Sequence, residues 1–215
     1  YKLSNGVEVY YIHAGAQEVM QVEWVFYGGN NFENKKGVAA ATNFLLKNGT
    51  SSKTAFEVTE AFEYYGAYCN RSCYNETAVL SLHCLSKHFD KLIPVIAEIL
   101  SDSIFPEREL DIYKQNSKQR LSVNLKKAEF VAGRLIDSYV YGEQHPYGTF
   151  TNPEDLDAIT VDECRSFYEK YYRQGSCVIF VSGNFPEQVP GMIDQYIGKL
   201  PISKYAQPLP TPAMT

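Results

Sequence analysis

Residues 37–50 read Gly-Val-Ala-Ala-Ala-Thr-Asn-Phe-Leu-Leu-Lys-Asn-Gly-Thr, and this stretch says more about the fold than any other part of the chain. The run from about Gly37 to Lys47 predicts a helix, and Asn48-Gly49 predicts its end, because these residues commonly follow a last helical turn. The stretch contains no histidine, cysteine, aspartate or glutamate. The predicted helix therefore carries none of the side chains that bind catalytic metal ions.

Segments on both sides of this helix predict two β-hairpins. Val7–Ile12 is rich in β-branched and aromatic residues, and Val19–Phe26 alternates apolar with polar side chains, so we expect these two strands to pair. Ala67–Cys73 and Thr77–Leu85 form the second predicted hairpin, joined by a short polar turn. The two hairpins together predict an antiparallel sheet.

Helix signals fill most of the remaining chain. Thr54 and Thr160 are each followed three residues later by glutamate, which is the capping box that predicts a helix start. Apolar periodicity from Phe89 to Leu100 predicts another helix, with Ser86 as its N-cap. The other predicted elements are a helix or helix pair from Pro106 to about Tyr141, a strand at Cys177–Val181 and a last helix at about Glu187–Lys199. This order predicts an α+β fold, an antiparallel β-sheet with helices packed on one face.

Composition narrows the classes of function. The 215 residues are 45% apolar, which is enough for a full core, and the formal net charge of −5 argues against a nucleic-acid partner. We expect no membrane span, since no apolar run approaches the roughly 18 residues that one needs. The five scattered cysteines favour reduced, buried thiols over a disulfide framework, and the sequence leaves the compartment open, with the cytoplasm slightly favoured.

A substitute metal site is one alternative for the cysteines. Cys69 and Cys73, with His83 and Cys84, offer suitable ligand types. Cys69 and Cys73 are four positions apart on a predicted strand, however, which places them about 13 Å from each other. One ion would need a bend between them, so we favour structural packing.

The stretch 37–50 resembles the helix that carries the inverted zinc motif H-x-x-E-H in the pitrilysin- and insulinase-type (M16) metallopeptidases, where it reads roughly G-x-A-H-x-x-E-H-x-x-x-x-G-T. The flanking residues Gly37, Ala39, Gly49 and Thr50 fit this pattern without a gap. The resemblance covers nearly the whole chain. Its other parts are Asn5-Gly6-Val7, Gly28 with Glu33, Glu60 to Gly66, Phe105-Pro106-Glu107, His145-Pro146-Tyr147-Gly148 and Gly183. It implies an N-terminal half-domain with the LuxS/MPP-like metallohydrolase fold.

The metal-binding and catalytic positions of the motif differ from the family pattern. Ala40 and Phe44 stand where the resemblance implies zinc-binding histidines, and Asn43 stands where it implies the glutamate base. A methyl group and a phenyl ring offer no lone pair, and an amide cannot take up a proton at neutral pH. The family's third ligand is a glutamate on a later helix, and Gln119 lies roughly there. Zinc is expected for the family, but this chain lacks the ligands, so we predict no cofactor and no peptidase activity.

The resemblance also implies domains and partners. Residues 1–202 correspond to the N-terminal α+β domain, and 203–215 read as a proline-rich linker toward an absent second domain. The implied partner is an M16 subunit that bears H-x-x-E-H, or a second M16 half-domain. An extended peptide is a further expected partner, because family members add substrate as a strand along the edge that here corresponds to Ala67–Tyr74. Cys69 and Asn70 would lie nearest the former scissile bond, although an ordinary covered strand is an equal alternative.

Three functions remain open on these grounds. The first is an inactive subunit or scaffold that holds peptide beside an active zinc peptidase. The second is a free-standing peptide-binding or complex-assembly protein without a peptidase partner. The third, an active zinc metallopeptidase with ligands from outside this chain, is disfavoured because the family's water-activating centre lies wholly within this half.

Overall fold

A computed structural model describes residues 1–204 and has an α+β fold. Its strands are β1 (Glu8–His13), β2 (Val19–Phe26), β3 (Tyr68–Cys73), β4 (Ala78–Leu85) and β5 (Cys177–Gly183). Its helices are α1 (Val38–Leu45), α2 (Ala55–Glu63), α3 (Phe89–Asp102), α4 (Glu107–Asn124), α5 (Ala128–Tyr141), α6 (Pro153–Ala158), α7 (Val161–Tyr168) and α8 (Val189–Ile197). Within 1–204, no helix is both long and apolar enough to cross a bilayer.

The five strands form one sheet in the order β1-β5-β2-β4-β3. The predicted second hairpin is confirmed, since β3 and β4 pair antiparallel from Tyr68↔His83 to Cys73↔Ala78. The predicted first hairpin is wrong: β5 lies between β1 and β2, parallel to β1 and antiparallel to β2. A strand that comes from the far end of the chain leaves no local signal beside β1, so the sequence could not reveal this insertion.

Gly183 lets β5 end beside the start of β2. Its φ is +122°, and an added Cβ would clash with the carbonyl oxygen of Val19. Only glycine combines that conformation with such a close approach of two backbones. The inserted strand therefore depends on this position.

Two of the predicted helix caps are present in the structure, and a third is not. The capping boxes at Thr54 and Thr160 are confirmed, with both reciprocal hydrogen bonds present in each. Ser86 does not cap α3: it begins a short 3-10 turn, α3 starts at Phe89, and the Ser86 hydroxyl donates to the carbonyl of Asn184. The predicted linker 203–215 lies outside the described residues from residue 205 onward.

The sheet has one covered face and one open face. Along β2, Met20, Val22, Trp24 and Phe26 are buried beneath the helices, whereas the alternate residues are half-buried or exposed. This period-two alternation is typical of a sheet that packs on one side only. Helices therefore cover one face, as predicted, and α1 lies on that face against β3, α4 and α7.

Candidate functional site

Helix α1 starts at a cap supplied by Glu33. The carboxylate of Glu33 accepts hydrogen bonds from the backbone N–H groups of Gly37 and Ala39, each at 2.9 Å. Burial raises the pKa of Glu33, and these two hydrogen bonds oppose the rise without cancelling it. The cap satisfies two of the N–H groups that a helix start leaves without a partner, and it ties the loop before α1 to the first helical turn.

Ala40 borders a cavity between α1 and α4. The cavity has a volume of about 240 Å³, and its lining includes Tyr113, Ser117 and Arg120 of α4. The methyl group of Ala40 leaves this space unfilled, because alanine carries no atom beyond Cβ. It also offers no atom that could coordinate a metal.

Asn43 points into the core. Its side chain is 3% exposed, and its amide nitrogen lies 3.2 Å from the hydroxyl of Tyr172 and 3.5 Å from the carbonyl oxygen of Val79. Tyr172 is fully buried, and this burial raises the pKa of its hydroxyl well above the usual value. Asn43 therefore anchors α1 to the core through a neutral hydrogen bond, and it faces no solvent from which a water could be activated.

Phe44 lies between an aromatic ring and a cation. Its ring is half-buried, with its centroid 5.0 Å from that of Tyr113 and 4.7 Å from the guanidinium carbon of Arg71. Arg71 also donates to the carbonyl of Phe44 and, over 2.9 Å, to the side-chain oxygen of Asn48. Burial lowers the pKa of Arg71 to about 10, so the side chain remains charged at neutral pH.

Gln119 does not join the other three predicted positions. It is exposed on α4, whereas Tyr113 and Ser117 are buried on the face that meets α1. Gln119 follows Ser117 by two residues, which places it about 200° around the helix. Sequence reasoning missed Tyr113 and Ser117, although their spacing of four, with Leu110 three residues before Tyr113, is the periodicity of a buried helix face.

Strand β3 lies at an edge of the sheet, where β4 is its one neighbour among the described strands. The Tyr74 N–H donates to the Thr77 carbonyl in the turn, and hydrogen-bonded pairs alternate along an antiparallel ladder. The backbone groups that point away from β4 are therefore those of Cys69, Arg71 and Cys73. The Cys69 side chain is buried and that of Asn70 is exposed, so the two predicted substrate-binding residues face opposite sides of the sheet.

The cysteines behave as packing residues. All five are free thiols, and four of them are buried. Burial raises the pKa of Cys69 to about 11 and that of Cys84 to about 12, which keeps both thiols protonated and poorly suited to metal binding. Among residues 1–204, no three His, Cys, Asp or Glu side chains come together as a metal site.

The residues around α1 do not fit a zinc ion. Ala40 and Phe44 have no donor atom, and the Asn43 amide is held by Tyr172 in the core. The Arg71 guanidinium lies directly over Phe44, where its positive charge would repel a second cation. No catalytic step through a metal follows from this arrangement.

Comparisons with known proteins agree with the fold. The sequence model described as insulinase, peptidase family M16, matches residues 9–153, and the model described as peptidase M16 inactive domain matches 158–215. A Rickettsia felis protein named uncharacterized zinc protease is 25% identical over 187 residues, which are 85% of this chain and 45% of that protein. The chain thus spans about half the length of this relative.

Many solved structures resemble the chain, and two of them illustrate the match. A peptidase M16 inactive domain from Pseudomonas fluorescens matches with a TM-score of 0.89 at 23% identity, over 99% of this chain and 53% of that one. The periplasmic protease PqqL from Escherichia coli matches with a TM-score of 0.82 at 18% identity, over 99% of this chain and 25% of that one. At these identities the likeness concerns the fold alone.

Proposed function

Because the chain belongs to peptidase family M16, we propose that it is a non-catalytic member, an inactive subunit or scaffold that holds peptide beside an active zinc-bearing partner. The observation that carries this proposal is the chemistry of three side chains on α1. Ala40, Asn43 and Phe44 supply no ligand and no base, and the cation of Arg71 lies beside them. PqqL, which is named a probable zinc protease, shares the fold, so the proposed loss concerns the metal site and not the scaffold.

The open face of the sheet supports a protein partner. Tyr10 and Phe180 stack there with ring centroids 5.5 Å apart, and they are 51% and 41% exposed. Ile12 is 64% exposed on the neighbouring part of β1. Exposed apolar side chains grouped on one face are typical of a protein interface. We assign this face to a second M16 half-domain or to the zinc-bearing subunit.

The edge of β3 supports the peptide-holding role. The outward backbone groups of Arg71 and Cys73 can pair with an added strand, which requires no particular side chain in the peptide. This mode of binding would survive the loss of the metal ligands. Peptide binding would therefore be kept although hydrolysis is lost.

Metal content and cleavage test the proposal directly. The purified full-length protein, equilibrated with zinc and then desalted, is expected to hold no stoichiometric zinc by elemental analysis and to leave a quenched fluorescent peptide library intact. An active H-x-x-E-H-bearing M16 peptidase treated in the same way is the positive control. Stoichiometric zinc together with chelator-sensitive cleavage would overturn the proposal.

Co-purification separates this role from a free-standing one. The tagged protein is expected to bring down an M16 homologue with an intact H-x-x-E-H motif. Phe180→Asp on the open face should weaken this association, whereas Tyr139→Asp, at an 85% exposed position on α5, should not. Peptide binding without any such homologue would favour a free-standing peptide-binding or assembly protein.

A further inference from the structure

Two cations lie between the end of α1 and the edge strand. Arg71 is held over Phe44 and donates to Asn48 at 2.9 Å, and the Lys47 ammonium donates to the Cys69 carbonyl at 3.1 Å. Both side chains are partly buried, and burial lowers the pKa of each. Their charges also act on each other, since Arg71 contributes to the lowered pKa of Lys47. The pair forms a desolvated positive region beside β3.

This positive region has no counter-ion in the described part of the chain. Neither Lys47 nor Arg71 has a carboxylate oxygen within 4.0 Å among residues 1–204. Glu63 acts on Lys47 only at longer range, and Asn48 separates Glu109 from Arg71 through a 2.7 Å hydrogen bond. A charge that loses part of its hydration is stabilised by a partner of opposite sign. A bound anion would supply the missing negative charge.

Both cations still have donors to offer. The contacts of Arg71 with Phe44 and Asn48 use Nη1 alone, which leaves the N–H groups of Nε and Nη2 for another acceptor. The Lys47 ammonium makes one hydrogen bond and carries three donors. A guanidinium fork beside an ammonium suits a carboxylate, which accepts through both oxygens.

We propose that Lys47 and Arg71 form a carboxylate-binding site at the edge strand, and that they bind an acidic side chain or the C-terminal carboxylate of the held peptide. This inference rests on the proposed peptide-holding role. It adds a chemical preference to it, because backbone pairing alone cannot distinguish one sequence from another. The site takes an anion beside the helix where the family resemblance implies a bound cation.

Matched peptides test the preference. Extended fluorescent peptides that differ only by Glu against Gln, and a second pair that differs by a C-terminal acid against an amide, distinguish the two sources of the carboxylate. In low salt we expect a preference in one of the two pairs. Its acidic peptide, with either the Glu side chain or the C-terminal acid, should bind roughly ten- to a hundredfold more tightly than the neutral peptide, as for a charged hydrogen-bonded pair. Lys47→Met should remove most of this preference, whereas Lys126→Met, which removes an exposed charge elsewhere, should leave it intact.

A second probe keeps the two proposals separable. N-acetylglycine, but not N-acetylglycinamide, is expected to shift the NMR signal of the Arg71 Nε–H group, with no peptide present. If the variant Arg71→Met fails to fold, Arg71→Lys takes its place. Arg71→Lys should retain part of the carboxylate binding. Peptides that bind without preference for a carboxylate would overturn this inference and leave the peptide-holding role standing. Shifts with N-acetylglycine but no binding of any peptide would overturn the peptide-holding role, and with it the assignment of the site to a held peptide, and would leave only a site for small carboxylates.

Discussion

The amide nitrogen of Asn43 lies 3.2 Å from the hydroxyl of Tyr172, and this hydrogen bond joins α1 to the core below it. Tyr172 is fully buried at the end of the helical segment that follows α7, and its ring also packs 5.0 Å from that of Phe26. The bond occupies the position at which the family resemblance implies a catalytic base. In this chain the same position serves the stability of the fold.

Asn43→Leu is expected to lower the free energy of unfolding by about 1–3 kcal/mol, because it leaves the buried Tyr172 hydroxyl without a partner. Tyr172→Phe should lower it by a smaller amount. The double variant should cost less than the sum of the two single changes, since both remove the same bond. Urea unfolding of all four proteins measures this coupling, and strictly additive effects would contradict it.

A zinc site can be rebuilt only from the face that α4 turns toward α1. We expect Ala40→His, Asn43→Glu and Phe44→His, combined with Ser117→Glu, to bind zinc more tightly than the same triple change combined with Gln119→Glu. Ser117 is buried against α1 and lines the cavity beside Ala40, whereas Gln119 is exposed. Calorimetric titration with zinc compares the two variants. Equal or tighter binding with Gln119→Glu would show that the ligand position was inferred wrongly.

Glu33 should make stability fall as pH rises. Burial raises its pKa in the folded state above the ordinary value of 4.5, so the folded protein holds this proton more tightly than the unfolded chain does. Glu33 makes its full contribution to the free energy of unfolding at pH values below its pKa in the unfolded chain. This contribution is lost as pH rises through the higher pKa of Glu33 in the folded protein. The difference in unfolding free energy between wild type and Glu33→Gln should therefore decrease from about pH 4 upward and then level off. Unfolding curves across this range check the sign, and an increase would refute it.

Two glycine substitutions should have opposite effects. Gly183→Ala is expected to destabilise by about 1–3 kcal/mol from its backbone conformation alone, with a further cost from the clash with Val19. Gly133→Ala, in α5 with open space around it, should stabilise by about 1 kcal/mol. Thermal unfolding measures both. If Gly183→Ala left the stability unchanged, the placement of β5 beside β2 would not depend on a glycine at this position.

Short-range features of the fold were predictable from the sequence. The capping boxes at Thr54 and Thr160 and the hairpin of β3 with β4 depend on residues a few positions apart, so local pattern carries them. The absence of donor atoms at Ala40 and Phe44 is equally a property of the sequence, because no tertiary contact can give a methyl group or a phenyl ring a lone pair. Helix α6, only six residues long, was too short for its periodicity to be recognised.

Tertiary structure alone decided the rest. The insertion of β5 beside β1, the exposure of Gln119 opposite Ser117, and the placement of Arg71 over Phe44 each depend on segments far apart in the chain. Their positions follow from the order of the strands in the sheet and from which face of each helix is buried. Sequence therefore determined what α1 cannot do chemically, and the packed fold determined which groups surround it, because side-chain chemistry is local whereas burial and contact are set by the whole chain.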